Sequence, residues 1–160
     1  MNKQGFFSRL CIVLFTCMIM LPCYAKDVNG SDWKFYFRGA DGTSFHYDAN
    51  SINVLPANVI RVWIKGISET EEDRLRYILN QKRQFPDFPN NWFFSIALYE
   101  INCKNKTFTG IEVLDYDMNN EFISAETVKN PTPVNISPDS MTDVLQKLVC
   151  SKMSSKKKGR

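Results

Sequence analysis

A single histidine, His46, stands in the whole chain. That excludes a histidine-rich metal centre and any hydrolase built on several imidazoles. Catalytic signatures are missing too: no G-x-S-x-G, no H-E-x-x-H, no C-x-x-C and no glycine-rich phosphate loop. There is no internal repeat and no sign of a second domain. The N-terminal apolar run, Leu10 to Leu21, falls short of the roughly 20 residues a spanning helix needs. A multi-span membrane protein, a fibrous repeat and a wholly disordered chain are therefore excluded. What remains, at 160 residues with 44% hydrophobic and 13% aromatic side chains, is enough for one domain with a real core. The 12 Phe, 6 Tyr and 3 Trp lean toward strands.

The charges are segregated. Of the 20 basic residues, Lys3 and Arg9 precede the apolar run, and five fall in the last ten positions. All 17 acidic residues lie between Asp27 and Asp143. The body from Lys26 to Cys150 thus carries 13 basic and 17 acidic groups, a net of −4. A nucleic-acid-binding body would show a basic face instead, so no nucleic-acid partner is expected. Residues 151–160 (SKMSSKKKGR) read as a basic, disordered tail.

Residues 1–25 read as a signal peptide, with Lys3 and Arg9 as the charged start and Cys23-Tyr24-Ala25 as the cleavage site. An uncleaved anchor would need a longer apolar run, and a lipoprotein would need a small residue where Pro22 stands. Soluble export to the periplasm or the outer cell surface is the expectation. Cleavage removes Cys11, Cys17 and Cys23 and leaves Cys103 and Cys150, an even number in an exported chain. One disulfide is predicted. It would close a loop of about 48 residues, worth roughly 4 kcal/mol in the chain-entropy model.

The mature domain, residues 26–150, alternates at strand period. Trp33 to Arg38 puts Trp33, Phe35 and Phe37 on one face and Lys34, Tyr36 and Arg38 on the other. Thr43 to Tyr47 returns as a hairpin arm. Val59 to Ile67 turns Ile60, Val62 and Ile64 inward, with Arg61, Trp63 and Lys65 opposite. Thr70 followed by Asp73 opens a helix to Gln84, with Leu75, Ile78 and Leu79 as its apolar side and Arg74, Arg76, Lys82 and Arg83 solvated. Trp92 to Cys103 is the central strand, followed by Thr107 to Tyr116 and Phe122 to Val128. Ser137 is expected to cap a closing helix with Pro138 in its first turn. Its stripe is Met141, Val144, Leu145, Leu148 and Val149. The expected fold class is α+β: a single antiparallel sheet of about six strands, an inserted helix, a C-terminal helix packed on one face, and one disulfide.

Nothing along the chain assembles catalysis. Asp115 and Asp117 precede Asn119-Asn120, where turn acids are ordinary, and the set lacks the glycine and closing Glu of a calcium loop. The sequons at Asn29, Asn105 and Asn135 matter only in a glycosylating host. No catalytic residue and no metal site is assigned. The candidate contact surface is the aromatic and basic set Tyr36, Arg38, Arg61, Trp63 and Lys65, since Tyr, Trp and Arg dominate interface hot spots. The competing reading buries Trp63 in core.

Several segments resemble the bacterial surface-adhesin protein E family. They are Asp32-Trp33, Phe45-His46-Tyr47-Asp48 with Ser51-Ile52, Arg61-Val62-Trp63, and Tyr99-Glu100-Ile101-Asn102-Cys103. Ile136-Ser137-Pro138-Asp139-Ser140 and Cys150 close the match. The resemblance implies one antiparallel sheet with a C-terminal helix on it. It also implies an outer-surface adhesin for host extracellular-matrix proteins such as vitronectin and laminin, with haem binding and a homodimer as further traits. No residue of the family's ligand-binding segment is matched here. The leading expectation is an exported, non-enzymatic binding module at the cell surface with a protein partner and no cofactor. The alternative is a periplasmic small-ligand or haem-binding protein using His46.

Overall fold

The computed structural model describes residues 30–157, with side chains to residue 151. The signal segment 1–25 with its three cysteines, the sequon at Asn29 and residues 158–160 lie outside the described residues.

Aromatic and branched side chains at alternate positions favour strands. The strands are β1 (Trp33–Arg38), β2 (Thr43–Asp48), β3 (Asn53–Leu55) and β4 (Val59–Ser68), then β5 (Phe94–Asn102), β6 (Thr107–Tyr116), β7 (Phe122–Thr127) and β8 (Val134–Asn135). Helix α1 (Glu71–Gln84) is inserted between β4 and β5, and α2 (Met141–Lys157) follows β8. The sheet runs β1-β2-β4-β5-β6-β7 with every pairing antiparallel, β3 joining β4 and β8 joining β6. The α+β architecture and its six long strands are as expected. Two short strands are added, too brief for alternation to reveal.

The turn between β1 and β2 needs its glycine. Gly42 has φ +85°, a left-handed conformation, and a Cβ there would strike the carboxylate of Asp73 in the first turn of α1. Thr70 caps that helix, its Oγ1 accepting from the Asp73 amide at 3.1 Å. Only Ile78 of the predicted stripe is buried; Leu75 and Leu79 remain 48% and 64% exposed. The helix docks instead through Tyr77, whose ring stacks on Trp92 at 4.2 Å. Trp92 precedes β5 rather than starting it, is buried, and donates from Nε1 to Ser95 Oγ at 2.8 Å. Arg74 is likewise not solvated: it pairs with Glu71 and donates from Nη1 to the Trp92 carbonyl at 3.2 Å.

Helix α2 lies across the same face. Leu145 and Val149 are fully buried among Ile60, Val62, Ile64 and Ile101, while Leu148 stays partly exposed. Its cap is Ser140 and not Ser137: Ser140 Oγ accepts from the Asp143 amide at 3.2 Å. Ser137 serves the turn before it, its carbonyl accepting from Ser140 Oγ at 2.7 Å. The backbone stays helical to Lys157, past Cys150 where the tail was expected to begin. Lysines favour a helix C-terminal end, where the dipole is negative. Cys103, just beyond β5, is bonded to Cys150 in α2 with Cα atoms 5.8 Å apart.

Candidate functional site

Both helices occupy one face of the sheet. Arg61, Trp63 and Lys65 stand on the other, because they alternate with the buried Ile60, Val62 and Ile64. Register fixes their neighbours: Arg61 opposes Glu100, Trp63 opposes Leu98, and Lys65 lies between His46 and Ile96. Leu114 and Tyr116 of β6 continue this face beside Ile96 and Phe94, and the Phe94 and Tyr116 rings stack at 5.0 Å.

The strand β1 does not alternate as expected. Phe35 opposes His46 and Phe37 opposes Phe45, so one extra residue, Tyr36, makes a bulge. Downstream residues consequently change face. Trp33 and Phe35 lie on the Arg61 side, whereas Phe37 packs on Phe45. Tyr36 goes under α2, where its hydroxyl donates to Met141 Sδ at 2.8 Å. Tyr36 and Arg38 therefore do not share a face. Arg38 stands at the end of β1 and binds Glu69, which also accepts from Ser44 Oγ. Arg61, Trp63 and Lys65 come together; Tyr36 leaves the set, and Arg38 sits apart at the sheet's far end.

Charge on this face is moderated by its partners. Arg61 Nε donates to Glu100 Oε1 at 3.0 Å, a pairing set by cross-strand register. Lys65 Nζ lies 5.1 Å from the Trp33 ring and 5.7 Å from the Phe94 ring, a cation held over aromatic faces. Burial holds its ammonium below the usual lysine range. Burial, and then the nearby Lys65 charge, lower the His46 imidazole from its ordinary value.

An open groove of about 630 Å³ runs beside Arg61, Trp63 and Leu98, walled by Asp48, Asn50 and Ser51. The wall is rigidly made. Asp48 is buried and accepts at Oδ1 from the amides of Asp32 (3.0 Å) and Asn50 (3.1 Å). Ser51 Oγ donates to the Asp48 carbonyl at 2.8 Å and accepts from the Trp63 amide at 3.0 Å. Glu100 and this wall escaped the reading of single strands. The Asp48-to-Ser51 turn signal could have pointed to the wall, but only register pairs Glu100 with Arg61.

Other candidates resolve into structure. Asp115 accepts from Ser95 and Ser124 hydroxyls at 2.6 and 2.9 Å, and Asp117 Oδ1 accepts from the amides of Asn119 and Glu121 at 2.8 and 2.9 Å. Asp115 ties β6 to β5 and β7, and Asp117 builds the β6–β7 turn. Among the described residues no cluster of three His, Cys, Asp or Glu side chains could hold a metal. His46 lies edge-on to Phe35 at 5.6 Å and pairs across the ladder with Lys65.

The fold is a helix-backed antiparallel sheet with a groove beside Trp63 on its open face. The chain belongs to the surface-adhesin protein E family, whose model matches residues 33–151. It is similar to crystal form II of Haemophilus influenzae protein E, with 14% identity and a TM-score of 0.48 over 80% of this chain and 93% of that one. Protein E from non-typeable Haemophilus influenzae gives 15% identity and a TM-score of 0.47 over 82% of each chain. No curated protein matches the chain. The family is one of surface adhesins, in agreement with the resemblance read from the motifs. No helix among the described residues is long and apolar enough to cross a membrane.

Proposed function

We propose that this chain is an exported, non-enzymatic adhesin that binds a protein partner at the cell surface through the face carrying Arg61, Trp63 and Lys65. The observation that carries this reading is the groove beside Arg61, Trp63 and Leu98, on the sheet face that neither helix occupies. A large indole beside a paired guanidinium is the side-chain combination that dominates interface hot spots. The groove's backbone is fixed by Asp48 and Ser51, so little ordering cost opposes binding. Membership of the surface-adhesin family supports the cell surface as the place of action and a host matrix protein as the partner.

The test is adherence of the mature protein to immobilised vitronectin and laminin, together with protease accessibility on intact cells. Trp63→Ala, with its melting temperature measured alongside, is expected to lose binding while staying folded. A protein sealed inside the envelope, or a folded Trp63→Ala that binds unchanged, would overturn the proposal.

A further inference from the structure

A second cavity, of about 220 Å³, opens between α1 and the sheet, away from the Arg61 groove. The sheet contributes small side chains to it: Gly66 inside β4, with Ser95 and Ala97 in β5. Glycine within a strand weakens it and often marks a place where another group approaches closely. A Cβ at Gly66 would stand 3.3 Å from the Phe45 ring. The walls are aromatic, and every wall ring has another ring against it. Tyr77 stacks on Trp92 at 4.2 Å, and both meet Phe88, at 6.1 and 6.2 Å. Phe45 packs on Phe37 at 6.3 Å, and Tyr99 on Phe108 at 5.5 Å. Rings held in this way resist collapse into the space between them. An apolar cavity of roughly 150 Å³ is enough for benzene, so this one has room for a substituted single ring.

Two polar groups at the cavity are unused. Trp92 Nε1 donates to Ser95 Oγ at 2.8 Å, and Ser95 donates on to Asp115 at 2.6 Å, so that chain is complete. The hydroxyls of Tyr77 and Tyr99 have no hydrogen-bond partner among the described residues. Both keep accessible surface, whereas the Tyr116 hydroxyl is sealed. Burial raises both phenols, Tyr77 to about 12, so each stays protonated and offers a donor and an acceptor. Charge selects against ions of either sign. Among the described residues no Lys, Arg or His lines the cavity to pair an anion. A cation finds no uncommitted carboxylate: Asp41 accepts from the Thr43 amide at 3.1 Å, and Asp115 from the Ser95 and Ser124 hydroxyls. A neutral molecule with a flat apolar body and one hydroxyl matches these walls, since aromatic rings pack by offset stacking and edge contact.

We propose that this cavity binds a free, neutral, single-ring phenol, its ring among Phe45, Tyr77, Trp92 and Tyr99 and its hydroxyl bonded to those of Tyr77 and Tyr99. The site is independent of the Arg61 face.

The experiment titrates the mature, oxidised protein with p-cresol and follows the methyl resonances of Ile64, Ala97 and Val113, which line the cavity. Saturable binding with a Kd of about 0.1 to 1 mM is expected for so few atoms. Three comparators separate the features invoked. Toluene lacks the hydroxyl, 4-methylcyclohexanol lacks the flat ring, and benzoate is charged; each should bind at least about fivefold more weakly. Tyr77→Phe and Tyr99→Phe keep the rings and remove only unpartnered hydroxyls, so both variants should fold. Each should weaken p-cresol about threefold and leave toluene unchanged, whereas a mere change of cavity shape would move both ligands together. No saturable p-cresol binding, a comparator binding equally well, p-cresol indifferent to both tyrosine variants, or shifts confined to other methyls would overturn the proposal.

Discussion

Leu145→Ala is expected to remove about 3 to 4 kcal/mol of stability. Leu145 is wholly buried, enclosed by Ile60, Val62, Ile64, Ile101 and Val149. The three carbons lost represent about 2.4 kcal/mol at roughly 0.8 kcal/mol per buried CH₂. The void adds to this, because surroundings relax only in part; Leu→Ala changes in cores run at about 2 to 5 kcal/mol. Relaxation should be small here. The sheet is rigid on one side, and the Cys103–Cys150 bond ties down the helix one turn further on. Leu148 belongs to the same predicted stripe but is 38% exposed, so Leu148→Ala should cost about 1 kcal/mol or less. Urea unfolding under non-reducing conditions measures both, provided the variants share one m-value. A loss under about 1 kcal/mol for Leu145→Ala, or equal losses for the two variants, would refute the packing argument.

Three further outcomes are expected. Non-reducing mass spectrometry of the mature protein should find no free thiol, and Cys150→Ser should cost roughly 4 kcal/mol, less any structure kept in the reduced chain. Tyr77 is neutral when folded and its hydroxyl is pushed up from 10.0 to about 12. Its contribution to stability is therefore intact below pH 10 and lost as pH rises to about 12, and Tyr77→Phe should flatten that loss in alkaline unfolding curves. In partner binding, Trp63→Ala should cost about 2 kcal/mol or more, near thirtyfold. Lys65→Ala should then change the salt dependence more than Arg61→Ala, because Glu100 already balances Arg61. The reverse order would show that the Arg61–Glu100 pair opens on binding.

Periodicity within one strand was enough to place the six long strands, the inward trio Ile60, Val62 and Ile64, and the outward trio Arg61, Trp63 and Lys65. The cysteines could be paired because only two follow the expected signal segment. What periodicity does not contain is an interruption of itself. The bulge at Tyr36 adds one residue without a glycine or proline to mark it, and everything after it in β1 changes face. Trp92 shows a related limit. Its apolar neighbours suggest a strand start, but its indole lies against Tyr77, which only the return of α1 onto the sheet can supply. The same holds for Leu75 and Leu79: helical spacing marks an apolar stripe, and tertiary docking decides that Tyr77 and Ile78 meet the sheet. Helix α2 began three residues later than its Ser-Pro signal suggested, because a tight turn used Ser137 first.

The two faces of this sheet are built differently. Both helices, the disulfide and the aliphatic cluster around Leu145 belong to one face, while a second buried cluster of Phe94, Ile96, Leu114 and Tyr116 lies under Trp33 and Trp63 on the other. The helix-covered face fixes the backbone of β4 and β5, and thereby the positions of Arg61, Trp63, Leu98 and Glu100 on the other. A binding surface carried on central strands is held more exactingly than one on loops, since ladder bonds on both sides resist displacement. The edges of the sheet are treated differently again. Strand β1 is short, bulged and charged at Lys34 and Arg38, and β7 is short with Glu126 exposed, which discourages a further strand from pairing there. Under the proposed function, the partner docks on the grooved face and not at an edge. A partner that instead docked by strand addition would lose affinity on substitution of Lys34 or Glu126 and would ignore Trp63→Ala. That pattern would move the adhesive site from the face to the edge.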